Sequence, residues 1–194
     1  MTRIVAGKWG GRRLATPAGE RTRPTSEKVR AALASSLTAT GGLEGARVLD
    51  LYAGSGALGL ELVSRGASSA VFVERDRAAL VALRSNIETL GGSDPGAGLT
   101  VIPGEVTGFV MRAGYGSETV GTFDIVVADP PYEQATDLLV TMLLALNRSG
   151  LLAAHADLVV ERSVKAGDQL WPTPLEGVRS RRYGDTLLCY GRAP

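Results

Sequence analysis

Residues 48–59 read Val48-Leu49-Asp50-Leu51-Tyr52-Ala53-Gly54-Ser55-Gly56-Ala57-Leu58-Gly59. An apolar run of strand type ends in a glycine turn and passes straight into a helical pattern. Gly54, Gly56 and Gly59 fit the G-x-G-x-x-G spacing, in which the missing side chains let a backbone approach a nucleotide-like ligand. Dinucleotide and S-adenosylmethionine (SAM) sites both use such turns, and a tight turn with no ligand would read the same way. Two acids narrow the choice. Glu74 closes the next apolar run, Ala70-Val71-Phe72-Val73, about 20 residues past Gly54, where a carboxylate can bind ribose hydroxyls. Asp50 stands just before the turn, where it would repel a pyrophosphate but suits the ammonium group of SAM.

The second landmark is Asp129-Pro130-Pro131-Tyr132, directly after the apolar run that ends at Ala128. Prolines donate no backbone hydrogen bond and fix φ, so the strand stops and the chain makes a stiff turn. The turn carries a short carboxylate and a broad aromatic ring. Asp129 and the Pro130 carbonyl can accept hydrogen bonds from a flat amino group, and Tyr132 can stack on the plane that bears it. These are the means of gripping the exocyclic amine of a nucleobase taken out of its stack. A nicotinamide oxidoreductase would leave both Asp50 and residues 129–132 without a task.

Outward from these landmarks, apolar strands alternate with amphipathic helices. Strands are expected near 46–51, 70–74, 99–103, 123–128 and 157–161, and helices near 57–65, 76–90, 105–113 and 135–147. This order specifies parallel βαβ units. Residues 178–183 and 186–190 flank Gly184-Asp185, a hairpin signal. The outline is that of the SAM-dependent methyltransferase fold. Residues 3–15 suggest a small hairpin around Gly7-Lys8-Trp9-Gly10-Gly11. Thr25 or Ser26 can cap a helix that runs to about Leu37. Residues 91–98 and 114–122 read as surface loops.

Composition sets the class. The chain has 194 residues, 44% hydrophobic and 21% charged, with a formal net charge of +1. One compact domain with a small attachment is expected. No apolar stretch is long enough to span a membrane, and residues 1–5 lack the apolar core of a signal peptide. With one cysteine and one histidine, intrachain disulfides and C-x-x-C metal sites are excluded, and catalytic triads are disfavoured. Cys189, between Leu188 and Tyr190, reads as a buried strand residue. A cytoplasmic enzyme without metal chemistry fits this composition. The charge is uneven. The first 30 residues hold eight basic side chains against two acidic ones, a local +6. A basic arm on a mildly acidic body is the pattern of a protein that meets nucleic acid through one end.

The chain resembles class I SAM-dependent methyltransferases that modify amino groups. More narrowly it is similar to the bacterial 16S ribosomal RNA guanine-N2 methyltransferase family, the one acting on guanine 966. The matching text is Arg23-Pro24-Thr25-Ser26-Glu27-Lys28-Val29-Arg30, Leu49 to Glu61, Ser64-Arg65-Gly66-Ala67, Phe72-Val73-Glu74-Arg75-Asp76, Asn86 and Asp129 to Tyr132, with Val160-Glu161 and Tyr183-Gly184 later. It runs from Arg3 to Tyr190. The family often has Phe where Tyr52 and Tyr132 stand, and an Asp near the adenine amine where this chain offers Glu105.

The resemblance implies an α/β, Rossmann-like fold: a seven-stranded, mostly parallel sheet with helices on both faces, an antiparallel C-terminal hairpin and a small N-terminal β-hairpin extension. It implies a basic arm (1–24) that contacts RNA and covers the cofactor, ahead of a methyltransferase domain (25–194). It implies methyl transfer from SAM, giving S-adenosylhomocysteine (SAH), to guanine N2 in 16S rRNA, within the small ribosomal subunit or a late assembly intermediate. The protein is expected to act as a cytoplasmic monomer without a metal. Asp129, Pro130 and Tyr132 would carry the catalysis. Asp50, Tyr52, Gly54, Ser55, Gly56, Glu74, Arg75, Glu105, Val106, Arg23 and Thr25 would bind the cofactor. Arg12, Arg13, Arg21, Arg23, Arg181 and Arg182 would meet RNA, with Arg179 a further candidate. The alternatives are a DNA adenine amino-methylase, a methylase of another RNA guanine, and a non-catalytic RNA-binding assembly factor.

Overall fold

The computed structural model describes residues 2–17, 27–91, 98–113 and 121–194. The candidates Arg21, Arg23 and Thr25, the Ser26 cap and most of the two predicted loops at 91–98 and 114–122 lie outside the described residues. The elements follow the predicted alternation. A two-stranded hairpin, β1 (Thr2–Arg3) and β2 (Arg13–Leu14), precedes α1 (Glu27–Ala39). Then come β3 (Arg47–Leu51), α2 (Ala57–Ser64), β4 (Ser69–Glu74), α3 (Arg77–Thr89), β5 (Leu99–Pro103), α4 (Val106–Ala113), β6 (Phe123–Ala128) and α5 (Thr136–Arg148). The chain ends with β7 (Leu152–Ser163), a single 3₁₀ turn, β8 (Glu176–Tyr183) and β9 (Thr186–Arg192).

The seven strands β3–β9 form one sheet in the order β5-β4-β3-β6-β7-β9-β8. The pairs from β5 to β7 are parallel, and β9 runs antiparallel to both β7 and β8. From β3 the chain steps outward to β4 and β5, then returns to the other side of β3 as β6. This reversal opens a crevice beyond the carboxyl ends of β3 and β6, the place where ligands bind open α/β sheets.

Side-chain alternation along the strands sorts the core into two layers. Val48, Ile125, Val127 and Val159 pack with α1, α2 and α3. Leu49, Leu51, Val126, Leu158 and Val160 pack with α4 and α5 on the opposite face. Period 2 therefore places Asp50 with Val48, under α2. Cys189 is fully buried in β9, where burial pushes its thiol up to about 11. Among the described residues, no helix is long and apolar enough to cross a membrane.

One element departs from expectation. β7 begins at Leu152 rather than near 157. Between Phe123↔Leu152 and Ile125↔Asp157 its register slips by a bulge. His155 lies there at φ +59 and donates its backbone N–H to the Pro194 carbonyl at 3.1 Å. The bulge breaks the alternation that marks a strand, so the first part of β7 carries no period-2 signal.

The N-terminal hairpin is docked on α2 and α3. Glu61, wholly buried, accepts the backbone N–H groups of Val5 (2.6 Å) and Ala6 (3.1 Å) and the Arg65 Nε (2.6 Å). Ser64 Oγ accepts from Trp9 N (3.0 Å) and donates to the Ala6 carbonyl (2.6 Å). Gly7 is required here: a Cβ on it would lie 1.8 Å from the Ser64 carbonyl oxygen.

Candidate active site

The crevice holds a cavity of about 1000 Å³. The glycine turn after β3, the ends of β4 and β5, and residues 129–133 after β6 all line it. The two landmarks, 70 residues and more apart in the chain, thus open on one space. Its volume lies at the upper end of the roughly 300–1000 Å³ common for small-molecule sites.

The glycine turn is held from beneath by carboxylates. Asp50 is 2% exposed, and its Oδ2 accepts the Gly59 N–H at 2.9 Å. That bond needs a glycine at 59: a Cβ there would lie 2.6 Å from Phe72 Cε1 and 2.8 Å from Asp50 Oδ2. Burial pushes Asp50 up from its ordinary 3.8 to about 7; the Gly59 N–H opposes this, and the Asp129 and Glu74 charges add to it. Glu74 is also buried. Its Oε2 accepts the Gly54 N–H (2.8 Å), and its Oε1 accepts the N–H groups of Arg75 and Asp76 (2.7 Å each). A carboxylate has about four lone-pair sites, and these backbone N–H groups match three of Glu74's. Gly54 has φ +55, and nothing stands within 4 Å of where its Cβ would be. Gly56 has φ +79, and a Cβ there would strike Leu83 Cδ1 at 2.3 Å. The first glycine faces open space and the other two allow close packing.

Arg75 Nη1 and Glu105 Oε1 form an ion pair at 2.8 Å on the cavity rim, with both side chains 64% exposed. Glu105 is therefore engaged by Arg75 already. Val106, the first residue of α4, is buried at the same end.

Across the cavity, Asp129 is partly buried and Tyr132 is 50% exposed. Both Tyr52 and Tyr132 use their hydroxyls. Tyr52, at φ +62, accepts a hydrogen bond from Gln134 Nε2 at 2.9 Å, which ties the glycine turn to the loop after Tyr132. Tyr132 Oη lies 3.4 Å from Thr186 Oγ1 at the start of β9. Arg30 of α1 also lines the cavity; it is 1% exposed and donates to the Arg3 carbonyl at 2.7 Å. Burial lowers its pKa, opposed by Glu61, Glu27 and Glu161.

Among the described residues, the candidate RNA-contacting arginines Arg12, Arg13, Arg181 and Arg182 stand apart from the cavity. Arg12 and Arg13 are exposed on the hairpin, and Arg12 donates to the Thr89 carbonyl at 3.1 Å. Arg181 and Arg182 are exposed on β8, the edge strand of the sheet. Arg179 is pinned differently: its guanidinium lies 4.5 Å from the Tyr190 ring centroid and bonds Ser36 Oγ.

Asn86 was visible in the sequence only as a residue shared with the family. It is buried in α3 and bonds three backbone groups, on Ala15 of the arm and on Ser55 of the glycine turn. Its partners lie 71 and 31 residues away in the chain, and no local pattern announces such contacts.

With this geometry in place, the comparisons with known proteins are decisive. The family model "Conserved hypothetical protein 95" matches residues 2–192. The chain belongs to that family. Ribosomal RNA small subunit methyltransferase D of Escherichia coli is 35% identical over 165 residues, covering 85% of this chain and 76% of its own. The protein of the same name from Haemophilus influenzae is 35% identical over 142 residues, 71% of this chain and 69% of its own. Among solved structures, the E. coli protein yhhF, provisionally described as a methyltransferase, superposes with a TM-score of 0.81 at 30% identity, covering 99% of this chain and 97% of that one. A more distant protein, SMU.776, provisionally described as a methyltransferase, was solved with SAH; at 13% identity and a TM-score of 0.64, covering 86% of this chain and 49% of that one, it shares the fold. For this member of the conserved hypothetical protein 95 family, the seven-stranded methyltransferase architecture expected from the sequence is thus borne out.

Proposed function

We propose that this protein transfers a methyl group from SAM to the exocyclic N2 of a guanine in small-subunit ribosomal RNA. The observation that carries the reading is that the glycine turn and the Asp129-Pro130-Pro131-Tyr132 turn line one cavity. The residues present suit SAM. Two buried carboxylates and an open Gly54 face the cavity, and the adjacent acids would repel a pyrophosphate. Asp50 would take the ammonium end, Tyr52, Gly54, Ser55 and Gly56 would border the methionine portion, and Glu74 would hold ribose hydroxyls. Arg75, Glu105 and Val106 would flank the adenine, with Arg23 and Thr25 closing over it. When bound, SAM supplies an electrophilic methyl on a sulfonium.

The protein's own contribution is position and polarity. Guanine N2 is a poor nucleophile because its lone pair is delocalised into the ring. Asp129 and the Pro130 carbonyl would accept from the two N–H bonds, favour a pyramidal nitrogen and stabilise the positive charge that develops on it. Tyr132 would stack on the extruded base and hold it in line with the methyl. The proton left in excess on N2 by methylation would go to Asp129 or to water. The basic arm (1–24), through Arg12, Arg13, Arg21 and Arg23, would meet the rRNA phosphates, with Arg181 and Arg182 on the edge strand.

The test is methyl transfer from labelled SAM to small ribosomal subunits from a strain lacking this activity, followed by nucleoside analysis. N2-methylguanosine should appear only with the protein added. N6-methyladenosine as the product, or no incorporation with correctly folded protein, would overturn the reading.

A further inference from the structure

Asn86 sits where two separate parts of the molecule meet. Its Oδ1 accepts the Ala15 N–H at 2.7 Å, and its Nδ2 donates to the Ala15 carbonyl at 3.0 Å. The side-chain amide thus pairs with both polar groups of one arm residue, as a neighbouring strand would. The same Nδ2 also donates to the Ser55 carbonyl at 2.9 Å. Ser55 lies between Gly54 and Gly56, on the turn whose backbone faces the cavity. Asn86 is 2% exposed, so water does not compete for these bonds. Immediately after Ala15, Thr16 and Pro17 become part of the cavity wall. The arm is therefore clasped by the amide that fixes the cofactor turn, one residue before it reaches the site.

We infer that Asn86 is a positioning residue that couples seating of the N-terminal arm to cofactor binding. This rests on the SAM reading of the cavity. Ser55 can take its ligand-facing position while Asn86 holds its carbonyl, and Asn86 is aligned by its paired bonds to Ala15. A ligand that orders the glycine turn thereby orders Ala15, and a seated arm pre-orders the turn. Such coupling is reciprocal, and its usual size is about 5–150-fold in affinity. The consequence is that the loaded protein presents a fixed arm, and the arm carries the basic side chains Arg12 and Arg13.

The experiment combines SAH titration by calorimetry with amide hydrogen exchange on the full chain. Ala15→Pro removes the arm's N–H without touching Ser55; Leu14 before it is in a strand, a conformation that proline favours in its predecessor. Asn86→Asp keeps an acceptor for Ala15 but removes both donors. Each variant should weaken SAH binding by about fivefold or more, and the double variant no further than the more affected single one. In the wild type, SAH should slow exchange at both Ala53–Leu60 and Arg12–Thr16; in Asn86→Asp the arm should lose that response. Should Asn86→Asp fail to fold, Ala15→Pro carries the test with its thermal midpoint as control. Protection confined to Ala53–Leu60, or penalties that multiply in the double variant, would overturn the coupling and leave the SAM reading standing. Absence of SAH binding by the wild type would overturn the SAM reading, and this inference with it.

Discussion

The two walls of the cavity are built in different ways. On the glycine-turn side, the acids are buried and already committed to backbone: Asp50 to Gly59, Glu74 to Gly54, Arg75 and Asp76. Opposite, Asp129 is partly buried and Tyr132 is half exposed. The first wall is buried and braced by backbone N–H groups; the second is the more exposed of the two. Preorganised polar groups need no rearrangement as a reaction proceeds. An open wall suits a large substrate that must feed a single base into the site.

The largest expected effect breaks the open wall alone. Asp129→Ala should lower kcat for methyl transfer by about 10²-fold or more while leaving SAH affinity, measured by calorimetry, close to wild type. Loss of SAH binding with it would mean that the two walls are not separable, and wild-type turnover would remove Asp129 from the chemistry.

The preorganised wall is probed by pH. Asp50 is pushed up to about 7, chiefly by burial. An acid whose folded pKa is raised binds more protons in the folded state. The free protein therefore loses stability as pH climbs from 3.8 to about 7, by at most about 4 kcal/mol, and the loss levels off above that. A cationic ligand reverses the preference, because it needs the carboxylate. SAM affinity should fall as pH drops below about 7, approaching tenfold per pH unit. Calorimetry in buffers of different ionisation enthalpy should detect proton release on binding near pH 6.5, a value chosen about half a unit below that midpoint. Asp50→Asn should abolish the release; a release that persists would place the titrating group elsewhere.

Two glycines sharpen the contrast within that wall. Gly59→Ala puts a methyl against Phe72 and Asp50 and should cost about 1–3 kcal/mol of stability by overpacking, read as a lower thermal midpoint. Gly54→Ala meets no atom of the protein, and its φ of +55 costs about 1–2 kcal/mol for a residue with a side chain. If SAM lies against the turn, this methyl would enter its space, so SAM affinity should fall further than in Gly59→Ala. The reverse ranking would place the ligand away from Gly54.

These walls also differ in how readily the chain displays them. The turn glycines, Asp50, Glu74 and the Asp129-Pro130-Pro131-Tyr132 segment are legible because each is a local signal: a strand, a breaker and a side chain within a few residues. So is the hairpin turn at Gly184-Asp185. The engagement of Glu61, Ser64 and Asn86 with the arm is not legible, because their partners lie 55 to 71 residues away and a buried polar residue on a helix shows its bond only once the fold brings the other strand near. Glu105 is legible as an acid at the end of β5; its ion pair with Arg75 is not. The bulge in β7 is hidden for a different reason. It removes the periodicity by which a strand is recognised.

The smallest effect separates the cavity from the arm that leads to it. Arg12 and Arg13 stand exposed, outside the cavity. If they neutralise rRNA phosphates, Arg12→Gln with Arg13→Gln should reduce the slope of log affinity against log salt by about 1.4 to 1.8, the range for two single-stranded or duplex contacts. SAH affinity should change little, because neither guanidinium lines the cofactor wall. Arg12 also holds the Thr89 carbonyl at the end of α3, so Arg13→Gln alone is the cleaner probe and should account for about half of the change. An unaltered salt slope would show that the hairpin seats the glycine turn without touching RNA, and would shift the phosphate contacts to Arg181 and Arg182 on the edge strand.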